Sequence, residues 1–129
     1  MIYLDANFLV YCQDSTEKGE SARKLLKEIV KGRKAITSTL AIDELMWVVY
    51  RNAGKKEIRR IVEEIYSVPN IKVEAVWQEI PLRALDFIEF GLKPRDSFHA
   101  AVMKSLGINE IVSDDPDFDR LKWVKRIKL

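Results

Sequence analysis

One cysteine (Cys12), one histidine (His99), five scattered glycines and four prolines in 129 residues exclude several classes of function. A lone cysteine forms no internal disulfide, so the fold must rest on its core, and a reducing cytoplasm is the expected compartment. One histidine and one cysteine cannot build a zinc cluster, and His99 has no evident nucleophile beside it for a Ser-His-Asp or Cys-His arrangement. Glycines placed singly rule out a phosphate-cradling loop. No apolar run approaches the ~20 residues that cross a bilayer. The stretch "MIYLDANFLVYCQD" carries Asp5 within its apolar part and no basic leader, so it does not read as an export signal.

Charge of one sign is missing too. Twenty-two Lys plus Arg against 20 Asp plus Glu leave a net charge of +2, which neither demands nor excludes a nucleic-acid partner. Hydrophobic residues make up 47% and charged residues 33% of the chain, the second figure being high for a globular protein. No repeat, low-complexity tract or linker divides the sequence, so residues 1–129 are expected to form one domain with its own core.

What is present is an alternation of strands and helices. "MIYLD", "KAITS", "IKVEAV" and "NEIVS" read as short strands, and "WVKRI" as a final edge strand. Between them, residues 17 to 31 carry Ala22, Leu25, Leu26, Ile29 and Val30 at helical spacing, and Ile58, Ile61, Val62, Ile65 and Tyr66 repeat the pattern. "LAIDELMWVVYR", residues 77 to 90 with Pro81 in the first turn, and "DSFHAAVMKSL" are further helices, while "PDFDRL" is a short helical turn. Such alternation implies βαβ units and a mainly parallel sheet covered on both faces.

In parallel sheets ligands bind beyond the carboxyl ends of the strands, and there the acids gather. Asp5 ends the first strand, and Asp114 and Asp115 end the fourth. Glu44 follows the second strand by about one and a half helical turns, and Asp96 opens the helix starting near 95. Several of these have a plain structural role as well. Asp96 and Asp115 suit helix caps, Asp117 and Asp119 suit first-turn surface charges, and Asp43 is expected to be solvated or to lie behind the site. Asp5 and Glu44 fit such roles less well. Both sit in apolar stretches where a carboxylate is costly to bury without compensation. A shared cation would supply it, and hard oxygen donors select Mg²⁺ or Mn²⁺. Such ions support phosphodiester hydrolysis. His99, three residues beyond Asp96, is expected to pack or hydrogen-bond rather than catalyse. A phosphoryl-accepting receiver domain would want an Asp closing the third strand, where "IKVEAV" has none.

Four segments in order, "MIYLDANFLVY", "TSTLAIDELMWVVY", "GLKPRDSFHAAVMKSLG" and "EIVSDDPDFDRL", resemble the PIN-domain ribonucleases, and among these the toxins of VapBC toxin-antitoxin modules. The resemblance covers essentially the whole chain. It implies a three-layer α/β/α sandwich around a mainly parallel sheet of four to five strands, and an endoribonuclease using one or two Mg²⁺ or Mn²⁺ ions. Position by position it implies Asp5, with Asn7 as its small polar support, then Glu44, then Asp96 in a D-x-x-H-A-A helix. The fourth acid falls in Ser113-Asp114-Asp115, where a threonine is more usual than Ser113; the pattern favours Asp115, leaves Asp114 as a competitor and lets Asp117 assist. It further implies a homodimer, an antitoxin whose C-terminal segment covers the acids, and RNA products with a 5′-phosphate and a 3′-hydroxyl. A catalytically silent PIN-like binding module, a stand-alone RNA-processing nuclease and a DNA-directed nuclease are the alternatives.

Carboxylates repel RNA, so cations elsewhere must attract it. Candidates are the seven Lys or Arg between Lys18 and Lys34, the group Arg51, Lys55, Lys56, Arg59 and Arg60, and the tail "RLKWVKRIKL". Solvated helix faces with compensating Glu are the plain alternative. Of the tryptophans, Trp47 and Trp77 are expected in the core.

Overall fold

Short apolar runs form the central strands here because both of their faces are buried. The computed structural model describes residues 1–129. It runs β1 (Ile2–Leu4), α1 (Ala6–Tyr11), α2 (Glu17–Val30), β2 (Ala35–Ser38), α3 (Thr39–Ala53), α4 (Lys56–Ser67), β3 (Ile71–Glu74), α5 (Ile80–Phe90), α6 (Pro94–Leu106), β4 (Glu110–Val112), a 3₁₀ turn (Pro116–Arg120) and β5 (Lys125–Ile127). The five strands lie in the order β3-β2-β1-β4-β5, and every pairing is parallel. Tyr3 lies opposite Ile36 on one side and Ile111 on the other.

Alternation along β1 splits the core. Ile2 and Leu4 pack with Phe8, Ala22, Ile29, Leu45 and Ile61 under α1 to α4. Tyr3 joins Ile36, Ile111, Ile80, Met103 and Phe118 under α5 and α6. Helices therefore cover both faces, giving the expected three-layer sandwich with an all-parallel sheet. β1 sits between β2 and β4, where the chain's crossovers leave in opposite directions, so a crevice opens at the carboxyl ends of these strands.

Several local expectations are corrected. Pro94 takes the first position of α6 and Lys93, without a side-chain bond, is its cap; Asp96 therefore sits in the first turn and caps nothing. Helix α5 begins at Ile80, three residues later than expected, after the Ile80 amide bonds the Trp77 carbonyl. Trp47 is 56% exposed rather than in the core. α3 buries the stripe Ala41, Ile42, Leu45 and Val49, and Trp47, two residues past Leu45, stands about 200° around the helix from it. Val30 and Tyr66 are exposed for the same reason, each one residue past a core position.

Leu45 is wholly buried beside Glu44, so its packing seats the helix that carries that acid. Leu45→Ala is expected to cost about 2–5 kcal/mol, read as a lower urea midpoint at unchanged slope. Met46→Ala, on the exposed side, is expected to stay within about 0.5 kcal/mol of the parent.

Candidate metal centre

Asp5 leaves β1 and enters α1, and its carboxylate is almost completely enclosed. Its Oδ1 accepts from the Ala6 amide at 2.7 Å, so it caps α1. Its Oδ2 accepts from the Ser113 hydroxyl at 2.7 Å and from Asn7 Nδ2 at 3.3 Å. Ser113 Oγ in turn accepts from the Asp115 amide at 3.1 Å, tying the end of β4 to the end of β1. Asn7 and Ser113 thus support Asp5 through hydrogen bonds that its charged form needs.

Glu44 is held from across the sheet. His99, fully buried on α6, places Nε2 2.6 Å from Glu44 Oε1. A carboxylate only accepts, so Nε2 donates. On the ring's other side Nδ1 lies 2.6 Å from the Tyr3 hydroxyl, which lies 2.7 Å from Ser38 Oγ, the cap of α3. This chain of hydrogen bonds joins β1, β2, α3 and α6. Burial opposes charge on the imidazole, but the Glu44 bond and the Asp5, Glu44 and Asp96 carboxylates hold it above its ordinary value. Burial also pushes the Tyr3 phenol far up, so it remains a neutral donor. Sequence spacing did not reveal this network, because Glu44 and His99 are 55 residues apart.

A second group forms at the neighbouring edge. Asp96 from α6 meets Asp115 and Asp117 from the 3₁₀ turn. Asp115 caps that turn, accepting from the Asp117 amide at 2.9 Å. Asp96 is pushed up to about 7, first by burial, then by a hydrogen bond to Asp115 and the charges of Asp115 and Asp5, with His99 acting the other way. Two carboxyls share such a bond only when one keeps a proton.

Asp114 lies outside both groups. It pairs with Lys18 of α2 and accepts from the Leu129 amide. Partial burial opposes its ionisation, but Lys18 and that amide hold it below the usual carboxylate range. Asp119, expected as a plain surface charge, instead receives two bonds from Arg126 at 2.9 and 2.8 Å. The Arg126 side chain is only 6% exposed and also donates to the Ser113 carbonyl, so it braces the turn that carries Asp115. Asp43 is exposed, as expected.

Two sets of donors lie close enough to share an ion. Asp5, Glu44 and His99 form one, and Asp96, Asp115 and Asp117 the other, each with ligand atoms within 4.8 Å of one another. His99 Nε2 is committed to Glu44, which leaves an oxygen donor set suited to a hard divalent cation. The raised Asp96 carboxyl fits this reading, since crowded acids without a counter-charge retain protons.

The family model of the PIN domain matches residues 2–124. Comparison with curated proteins finds no match. Among solved structures, the VapC20 toxin of Mycobacterium tuberculosis, a sarcin-ricin loop cleaving toxin, is 20% identical; the alignment covers 96% of this chain and 97% of that one, with a TM-score of 0.79. VapBC2 of Rickettsia felis, bound to a promoter DNA fragment, is 18% identical over 99% of this chain and 98% of that one, with a TM-score of 0.75. FitAcB of Neisseria gonorrhoeae is 16% identical over 98% and 96%, with a TM-score of 0.75. At these identities the likeness is one of fold.

The Asp96 shift fixes the sign of a pH effect. A carboxyl raised in the folded state contributes stability below its ordinary range and loses it as pH rises through about 7. The metal-free protein is therefore expected to lose melting temperature between about pH 4 and 8 more steeply than Asp96→Asn, measured by calorimetry. Added Mn²⁺ is expected to raise the melting temperature more at pH 8 than at pH 5, since it binds the ionised form. Equal slopes, or equal increments at both pH values, would contradict this account.

Proposed function

The chain belongs to the PIN domain family, and from its acidic rim we propose that it is a metal-dependent endoribonuclease, the toxin of a type II toxin-antitoxin module. The observation that carries this reading is that two donor groups, one with Asp5 and Glu44 and one with Asp96 and Asp115, stand where β1 and β4 end, linked through Ser113. Fold likeness to a toxin described as cleaving the sarcin-ricin loop, and to a structure from Klebsiella pneumoniae described as a toxin-antitoxin complex, supports it. Residues 1–129 act as one nuclease domain, which works in the cytoplasm as a homodimer and is held silent by a cognate antitoxin. No helix is long and apolar enough to cross a membrane.

Asp5, Glu44, Asp96 and Asp115 would hold one or two Mg²⁺ or Mn²⁺ ions, with Asp117 assisting. When bound, the ion polarises a phosphoryl oxygen and acidifies a water molecule. The chain's own residues do the rest. Asn7 and Ser113 fix the orientation of the Asp5 carboxylate. His99 holds one oxygen of Glu44, which leaves the other to orient the attacking water. Water adds to phosphorus, the bond to the 3′ oxygen breaks, and that oxygen leaves with a proton, giving a 5′-phosphate and a 3′-hydroxyl. Asp114, occupied by Lys18 and the Leu129 amide, is left out of the ligand set.

Asp5→Asn keeps a capping side chain, so it is expected to fold while losing Mn²⁺-dependent RNA cleavage by more than about 100-fold. Asp115→Asn is expected to lose as much, and Asp114→Asn to stay within a few-fold of the parent. Parental activity in Asp5→Asn would overturn the nuclease reading. Metal binding without any cleavage by the parent would point to a silent binding module instead.

A further inference from the structure

The geometry points to a subsite for single-stranded RNA in the cleft beside Glu44, walled by Trp47, Arg51 and Arg95, which seats the nucleotides on one side of the bond to be cut. This rests on the nuclease reading and adds to it where the substrate lies.

The cleft, of about 260 Å³, shares Asn7 and Glu44 with the acidic centre. Glu44, Trp47, Val48 and Arg51 stand at i, i+3, i+4 and i+7 of α3, so they form one stripe down a single helix face. Its length from Glu44 to Arg51 is about 10 Å along the axis. Arg95 enters from α6, next to Asp96 in sequence, and its Nε is 3.9 Å from Glu44 Oε1. One wall therefore leads directly out of the carboxylates and carries positive charge.

Arg51 is uncommitted and Arg95 is engaged only at long range. Arg33, Arg59, Arg60 and Arg126 are matched by Glu28, Glu63, Glu57 and Glu64, and Asp119. Arg23, Arg83 and Arg120 reach the Asp14 carbonyl, the Ser105 hydroxyl and the Gly91 carbonyl. The Arg51 guanidinium meets neither a carboxylate nor an acceptor, and Arg95 has only the long contact to Glu44. An RNA strand approaching four acids needs cations close to them, and a guanidinium pairs phosphate with two donors at once.

Trp47 supplies the second element. It stands more than half exposed between the two arginines and the Tyr50 ring, which it meets edge-on at 6.0 Å. An exposed aromatic ring flanked by arginines in a cleft suits unpaired bases, because each base offers a face for stacking. A duplex hides those faces. The exposed apolar patch of Met46, Tyr50 and Ile58 on the far side of Trp47 lacks arginines and is not part of the subsite.

The test measures binding in the Asp5→Asn background, so that cleavage does not interfere. A single-stranded oligoribonucleotide of about eight residues is titrated while tryptophan fluorescence is followed. Quenching is expected, and Trp47→Ala is expected to remove most of it and to weaken binding about tenfold or more. Arg51→Ala and Arg95→Ala are each expected to weaken binding and to lower the salt slope by about 1. Arg59→Ala, whose charge is already matched by Glu63, serves as the control and is expected to bind within about twofold of the parent. In the active chain, Trp47→Ala is expected to raise KM by a larger factor than it lowers kcat. Parental affinity and salt slope in Trp47→Ala and Arg51→Ala would overturn the subsite even if the chain cleaves RNA. Equal binding of a duplex of the same sequence, or no binding of any oligoribonucleotide, would also overturn it. Binding that depends on Trp47 in a chain that never cleaves RNA would keep the subsite and remove the nuclease reading.

Discussion

Mutual repulsion of carboxylates at one rim of a parallel sheet is the constraint to which the rest of this structure answers. Charges a few ångströms apart in a partly dry crevice repel strongly, and each has also lost water. The fold meets this in three ways. Asp5 is solvated by protein donors, namely the Ala6 amide, Ser113 and Asn7. Glu44 is given a buried imidazole, itself backed by Tyr3 and Ser38. Asp96, which lacks both devices, retains a proton up to about pH 7. The hydrogen-bond partners are thus unevenly shared, many at Asp5 and Glu44 and few in the group around Asp96. The divalent cation proposed above would complete the compensation, which leaves the metal-free fold with charge still to be answered.

The acids legible in the sequence were those whose setting made a carboxylate expensive. Asp5 between "MIYL" and "NFLVY", and Glu44 inside an apolar helix, stood out because local chemistry gave little reason for them. Asp96 was blurred by its proximity to Pro94, which looked like a cap signal until the proline was seen to occupy the first helical position with Lys93 before it. Between Asp114 and Asp115 the sequence pattern favoured the second without excluding the first. What separates them is Lys18, which arrives from a helix 96 residues earlier in the chain. No local pattern carries that information. The same holds for His99 with Glu44 and for Arg126 with Asp119, whose partners are set by how layers stack. The parallel sheet and its two covered faces were legible because strand–helix alternation and periodicity survive in short segments. Trp47 was misread because α3 is apolar around much of its circumference, which hides the stripe that faces inward.

Net charge conveyed almost nothing, and the structure explains why. Most of the cations that fill the sequence are used within the fold. On α4, Arg59 and Arg60 are neutralised by acids three and four residues away. In the tail, Lys125 lies near Glu110 and Arg126 holds Asp119. A basic stretch in the sequence is therefore a poor guide to an RNA-facing surface. The useful quantity is charge left over after internal pairing and lying beside the acids, and by that measure Arg51 of α3 is separated from Arg59 and Arg60 of the same basic segment.

Helix α3 then takes on an organising role. Its cap, Ser38, ends the hydrogen-bond chain that fixes His99; its buried stripe locks onto the sheet through Leu45; its next face carries Glu44, followed by Trp47 and Arg51. Because a helix is stiff over this length, the acid, the ring and the guanidinium cannot change their spacing independently. A loop could present the same three groups, but it would have to order them when substrate arrived, at an entropic cost. Placing them on one packed helix means that cost is met once, on folding. It also means that a core substitution which rotates α3 slightly would shift Glu44, Trp47 and Arg51 together, whereas changes on the exposed face of α4 leave all three in register.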